Sequence, residues 1–385
     1  MKVKPVKIMK RLGNLYTKLI DLENLKKAVV NACKPNGRTS PSKRKAIIKA
    51  KSDIEGTALE IQKIIIKGNI TSRYSIYPFY EPKLRLIYAL PFYPDRIVHH
   101  ALLNILEDFW DNQMQSCSYA CRKNKGQHQA GQKCAEYTRK YKYCAQFDIS
   151  QFYIAIDHKI MKKVLRKNLK DKKILEILDE IIDSISTRDM NLKILHKLKS
   201  RGQKNPYIQK EIDKLNRYEE TFRNTSGLPI GSYTSQWMGN LYMNELDTYL
   251  KQDLKCKAVV RYCDDFIVFS NDKEELQEVK TKVKEFLFNN LHLLLSKSEV
   301  FPTAQGVYFC GYRYFPKGYV LLRKRTAKKE KKTIKQVKLD LASGRISKES
   351  ALSKVASIDG LFKWANCYNL KKSLGIEELL KTLKE

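Results

Sequence analysis

The sequence predicts an α+β fold, and three observations lead to it. Short β-rich runs, AQFDI from residue 145 and VVRYCDDFIVF from residue 259, sit between long stretches whose apolar residues recur at helical spacing. An apolar content of 43% over 385 residues supports a substantial core. The formal net charge is +33, from 74 Lys and Arg against 41 Asp and Glu, and it is spread along the chain, so a polyanion is the expected partner and nucleic acid the leading one. No apolar run is long enough to span a bilayer, so no membrane association is expected. MKVKPVKIMKRLGNLY lacks the apolar core and cleavage site of a secretory signal, and cytoplasm is expected.

The elements follow in order. A Lys-rich helical stretch runs to about residue 70, broken by the loop KPNGRTSPSK. Extended runs occupy YSIYPFYEPKLRLIYAL, PFYPDR turns the chain, and DRIVHHALLNILEDFW reads as an amphipathic helix in which His99 and His100 pack or cap. Ala145, Phe147 and Ile149 alternate with Gln146 and Asp148, so a strand there buries one face and presents Asp148 on the other. Asp157 stands at a helix N-cap position. Residues 165 to 222 are helical and highly charged, interrupted by SRGQKNPY, and read as an inserted or solvated segment. In GLPIGSYTSQWMGNLYMNELD, Gly227 and Gly231 permit a tight loop that leads into a helix. VVRYCDDFIVFS reads as a hairpin with Asp264 and Asp265 at its tip. Past Gly311 the chain turns basic again: a helix with Thr326 as cap and Gly344 as stop, then a second helical region in which Trp364 and Tyr368 are core. The nine cysteines form no CxxC pair and are expected to be reduced, and Cys117, Cys121 and His128 are too loosely spaced for zinc.

Two adjacent carboxylates each raise the cost of ionising the other, so Asp264 and Asp265 need a compensating charge. Together with Asp148 they supply the hard oxygen ligands that two Mg²⁺ ions take, with Mn²⁺ as the alternative. Two such ions, roughly 4 Å apart, can activate a 3′-hydroxyl and stabilise a leaving pyrophosphate.

FDISQFYIAID resembles the first catalytic motif of reverse transcriptases, and RYCDDFIVF resembles their Tyr-x-Asp-Asp motif. The resemblance implies that Asp148 and Asp264 bridge the metals, with Asp265 as the neighbouring acid and Ile149 in the metal set. KLRLIYALPFYPDRIVHHAL is similar to the fingers motif, which implies Arg85 near the incoming nucleotide and Lys83 nearby. SYACRKNKGQHQA is similar to the next block, with Arg122 as a phosphate or template contact. LLLSKSEVFPTAQGVYFCGY resembles the region after the catalytic hairpin, with Lys297 near the triphosphate. Tyr153 falls where the superfamily keeps an aromatic steric gate against a 2′-hydroxyl. Group II intron enzymes carry Gln-Gly and Ser-Pro where this chain has Ile230-Gly231 and Ser235-Gln236. The pattern here is similar to that of diversity-generating retroelement reverse transcriptases, which implies a fidelity role for Ile230, Gly231 and Ser235, and Gln236 at the nucleotide.

The implied fold is an α+β right-hand polymerase with fingers, an antiparallel palm sheet packed on helices, and a small helical thumb. Its expected boundaries are 1–75 for an N-terminal helical extension and the start of the fingers, and 76–142 for the fingers. The palm takes 143–164 and 223–315, interrupted by the charged helical insertion 165–222, and the basic thumb takes 316–385, which leaves no room for an endonuclease or integrase domain. The resemblance implies RNA-templated synthesis from deoxynucleoside triphosphates, error-prone opposite template adenines, on a template RNA and its RNA–cDNA duplex, with a pentameric accessory variability protein. The alternatives are another bacterial reverse transcriptase, from a group II intron, retron or defence system, or a non-catalytic RNA-binding scaffold.

Overall fold

The computed structural model describes residues 12–34, 41–68, 70, 73–80, 84–202 and 205–384. The chain forms two compact units: Met1–Gln115 with Ile149–Thr248 and Lys284–Leu295, and Ser116–Asp148 with Tyr249–Val283 and Ser296–Glu385.

In the first unit, the helix Leu22–Ala32 packs on the helices Ile54–Lys67 and Ile97–Gln113. Its Leu25, Ala28 and Val29 are fully buried, as are Ile61 and Leu102 on the partner helices. Strands β1, Ser75–Phe79, and β2, Arg85–Ala89, pair antiparallel, in line with the extended runs expected there. The expected loop KPNGRTSPSK ends sooner than its composition suggests, because Pro41 opens the helix Pro41–Ser52; proline lacks only an N–H that the first turn leaves unpaired. Positions 35–40 lie outside the described residues.

Residues 165–222 are not a solvated excursion. The helix Lys172–Asp183 buries Ile174, Leu178 and Ile181, at a spacing of three to four residues that puts them on one face. Leu195, Ile208, Ile212 and Leu215, from the helices Thr187–Ser200 and Pro206–Phe222, form a core cluster with Leu84. The lysines and acids on the opposite faces account for the charged look of the sequence. The helix Tyr233–Thr248 is buried almost all round, and its Trp237 packs against Trp110 with ring centroids 6.4 Å apart. His99 is a packing residue: its Nδ1 lies 2.8 Å from the Thr234 hydroxyl, and burial, then His100, pushes its pKa down to about 3.

The second unit is built on a four-stranded sheet in the order β4-β5-β3-β6, where β3 is Tyr143–Ile149, β4 Ala258–Tyr262, β5 Asp265–Ser270 and β6 Leu295–Pro302. A small sheet of β7 Val307–Phe309, β8 Tyr312–Tyr314 and β9 Val320–Leu322 follows. Residues of both sheets, among them Cys144, Ile267, Phe309 and Tyr312, share a core with Ile334, Val355, Phe362 and Ile376 of the basic C-terminal helices. Because β3 is an interior strand, Gln146 is buried along with Ala145 and Phe147, where simple alternation had left it exposed.

Three expectations here need correction. Thr326 caps nothing: the helix Lys324–Ala342 has Arg323 at its N-cap, with no side-chain bond. Trp364 and Tyr368 are not core, being 42% and 73% exposed in and beside the short connection after the helix Lys348–Phe362. Gly344 does stop its helix, with φ at +68°.

Candidate active site

The site in the second unit is set by strand register. β5 pairs antiparallel with both β3 and β4, which puts Asp265 opposite Asp148 on one side and Tyr262 on the other. Directly opposed residues of an antiparallel pair share a face, so the two carboxylates stand together. Cys263 and Asp264 form the turn, with Cys263 in the left-handed region at φ +55°, so Asp264 is at the tip while Asp265 starts the strand. Arg261 anchors this turn from within. Fully buried, it donates from Nη1 to the Cys263 carbonyl at 3.0 Å and from Nη2 to the Ser118 hydroxyl at 2.9 Å. Its own backbone is bonded to Cys117 and Tyr119, so the segment carrying Cys117 and Ser118 is a buttress. Cys121 lies against Cys263, whose hydrogen bond, followed by the charge of Arg261, lowers the Cys121 thiol pKa from its ordinary value despite burial.

Asp265 has a strongly perturbed carboxyl. Burial pushes its pKa from 3.8 up to about 7, the Gln146 hydrogen bond pulls it back, Asp148 raises it, Arg323 lowers it and Asp264 raises it. Gln146 Nε2 donates to Asp265 Oδ1 at 3.3 Å and to the Tyr308 carbonyl at 2.8 Å, and its Oε1 accepts from Lys297 Nζ at 3.4 Å. Lys297 thus reaches Asp265 through an amide, while also pairing with Glu299 at 3.2 Å. The Ser296 hydroxyl donates to an Asp148 carboxylate oxygen and lies 3.2 Å from the Asp148 carbonyl. A half-buried carboxyl raised by desolvation and by two like charges is stabilised by a cation. The carboxylates of Asp148 and Asp265 offer hard oxygens, the donor type that Mg²⁺ or Mn²⁺ takes. Among the described residues, no three His, Cys, Asp or Glu side chains close into a metal-holding cage. An open set of this kind suits a centre that leaves coordination positions to phosphate and water.

Within the first unit, Tyr153 and the Ile230 loop are joined. Leu228 N–H donates to the Tyr153 carbonyl at 2.8 Å, and Tyr88 N–H on β2 donates to the Ile230 carbonyl at 2.9 Å. Gly231 has φ +113°, and a Cβ there would lie 3.1 Å from the Tyr88 carbonyl oxygen, so the close approach to β2 requires glycine. Ile230 is half-buried, Ser235 is buried and Gln236 is exposed. Gly231 and Gln236 line a cleft of about 1250 Å³ together with Lys34, Lys43 and Arg96. Burial, then the neighbouring Arg96, lowers the Lys43 pKa, a crowding of positive charge that an anion relieves. Arg85 is exposed on β2 and Lys83 lies outside the described residues. Arg122, in the second unit, is half-buried and donates to the Ser118 carbonyl at 3.2 Å. The residues that sequence reasoning missed are Gln146, Ser296, Arg323 and Arg261. For Gln146 the signal was present, since a residue two before Asp148 on a strand shares its face.

A family model described as reverse transcriptase (RNA-dependent DNA polymerase) matches residues 80–314. Protein YkfC of Escherichia coli K12 is 22% identical, with 72% of this chain and 74% of that protein covered. A putative COX1/OXI3 intron 2 protein of Saccharomyces cerevisiae is 25% identical over 41% of this chain and 15% of its own length. Nuclear intron maturase 1, mitochondrial, of Arabidopsis thaliana is 28% identical over 23% of this chain and 12% of its own length. Among the described residues, no helix is long and apolar enough to cross a membrane. The family model takes in β2 to β8, with all three aspartates of the hairpin and its partner strand, and on that match the chain belongs to the reverse transcriptase family.

Proposed function

We propose that the protein copies RNA into DNA, adding deoxynucleotides to a primer 3′-hydroxyl at Asp148, Asp264 and Asp265. The observation that carries this is the Asp148–Asp265 pair across β3 and β5, with Asp265 half-buried and its pKa raised to about 7, in a chain of this family. These carboxylates, with the Ile149 carbonyl, would hold divalent metal, which would supply Lewis-acid activation of the hydroxyl and charge for the departing pyrophosphate. The residues around them do the positioning. Gln146 and Lys297 orient Asp265, Ser296 holds Asp148, and Arg261 fixes the turn that presents Asp264. Arg85, Lys83, Arg122 and Gln236 serve the nucleotide and template, and Tyr153 selects against the 2′-hydroxyl.

The retroelement reading rests on Ile230. An amide at this position can hydrogen-bond to a base or sugar, and isoleucine cannot, so base selection loosens; that the errors fall opposite template adenines is what the resemblance to retroelement enzymes implies. Its neighbourhood supports this: the Ile230 backbone is pinned to β2, so a change of side chain changes chemistry without moving the loop. A template RNA and a pentameric accessory protein complete the proposed system. An intron-type enzyme is the second reading, favoured by the intron names that two relatives carry. Sequencing cDNA made by wild type and Ile230→Gln on one RNA template separates the two. The retroelement reading predicts errors concentrated at template adenines that fall about tenfold or more in the variant, on the scale of one lost or gained hydrogen bond. Accurate wild-type copying would leave the intron-type enzyme.

A further inference from the structure

Trp364 stands out in the second unit because it is a large aromatic side chain that folding leaves open. Its ring stacks on His128 with centroids 4.2 Å apart and planes 13° from parallel, yet 42% of the residue stays exposed. The two rings border a cavity of about 310 Å³ whose other walls include Gln132, Lys363 and Asn366. This volume is on the scale of small-ligand pockets. The cavity is structurally fixed. Asn366 is bonded to both the N–H and the carbonyl of Val320 at 2.7 Å, and Gly131 brings its helix so close to β8 that a Cβ would sit 2.2 Å from the Tyr314 hydroxyl. His128 Nδ1 is buried without a hydrogen-bond partner among the described residues. Tyr368 is 73% exposed four positions further along the chain, and the Lys363 side chain is 69% exposed.

We propose that the Trp364–His128 stack is a platform for one unpaired base of single-stranded RNA. The inference rests on the polymerase reading above and adds to it a contact for RNA that is not in the duplex. A flat aromatic surface, already backed by a second ring, offers a π-face to any base without hydrogen-bond readout. Lys363 supplies charge for the adjoining phosphate, in a protein carrying +33 overall. The Gln132 side chain on the cavity wall can meet a base edge.

Intrinsic fluorescence reads this site selectively, because Trp110 and Trp237, the other two tryptophans, are 1% and 0% exposed. The full-length protein is titrated with a 12-nucleotide oligouridylate and with an abasic ribose-phosphate oligomer of equal length. The expected result is quenching of the iodide-accessible emission by the first and not by the second. Labelled-oligonucleotide anisotropy should then show binding weakened roughly tenfold in Trp364→Ala and largely restored in Trp364→Phe. Both variants should keep wild-type extension on a short template with no single-stranded overhang beyond the copied bases. Equal quenching by the abasic oligomer would reduce the site to electrostatics and overturn the proposal. So would unchanged affinity in Trp364→Ala. Loss of extension in the wild type itself would count against the polymerase reading, which the platform presupposes, and is separately visible.

Discussion

Asp265 shows how a residue's environment sets its protonation. In the unfolded chain it loses its proton near 3.8, but in the fold, burial and the neighbouring carboxylates hold the proton to about 7. Between those values the folded state binds more protons, so without metal stability declines as pH rises from about 4 to about 7. Asp265→Asn should therefore raise the melting temperature by a few degrees at pH 8 in EDTA, with Asn still able to accept the Gln146 hydrogen bond, while abolishing synthesis. The same variant should gain nothing at pH 4, where the wild-type carboxyl is already neutral. Calorimetry at the two pH values checks both halves of this statement. The Asp-Asp pair was legible in the sequence as a charge that needed a partner. That Gln146 shares a face with Asp148 was legible too, but its hydrogen bond to Asp265 was not, because that contact exists only through the register of β3 against β5.

Elements were legible where a local rule and the packing agree. Asp157 was readable as a cap, and its Oδ1 accepts from Ile160 N–H at 3.0 Å at the head of the helix His158–Asn168. What local reasoning could not supply is the rest of its shell: Oδ2 accepts a hydrogen bond from Asn224 Nδ2 and lies 2.9 Å from His292 Nδ1. Burial raises its pKa, but the Ile160, Asn224 and His292 bonds together outweigh this and bring it below 3.8. A depressed carboxyl contributes stability that is present above the unfolded value and lost as pH falls below about 4. Asp157→Ala should cost about 2 kcal/mol at pH 7, the upper end for a lost cap because buried partners are also stranded, and the cost should shrink in acid. Urea unfolding of the variant at pH 7 and pH 3 measures the difference. The helices of 165–222 were misread for the opposite reason: charge on the solvent faces masked Ile and Leu at helical spacing, and only tertiary contact shows that those faces meet Leu84. Trp364 is the reverse error, since aromatic character alone says nothing about which rings the fold leaves uncovered.

At the scale of the whole molecule, a basic chain carries a compact acidic site on the edge of one short hairpin. The surplus of positive charge attracts a polyanion over distances of about 10 Å or less at physiological salt, and on the proposed mechanism the carboxylates would hold the metal. The most direct test is single-turnover addition of one deoxynucleotide to a primer on an RNA template, in Mg²⁺, by wild type and by Asp264→Asn. The account predicts addition by the wild type that EDTA stops, and a loss of at least about a thousandfold in the variant with RNA binding retained, on the scale of removing a group that stabilises the transition state. Equal addition by the variant, or none by the wild type on a template that it binds, would contradict it.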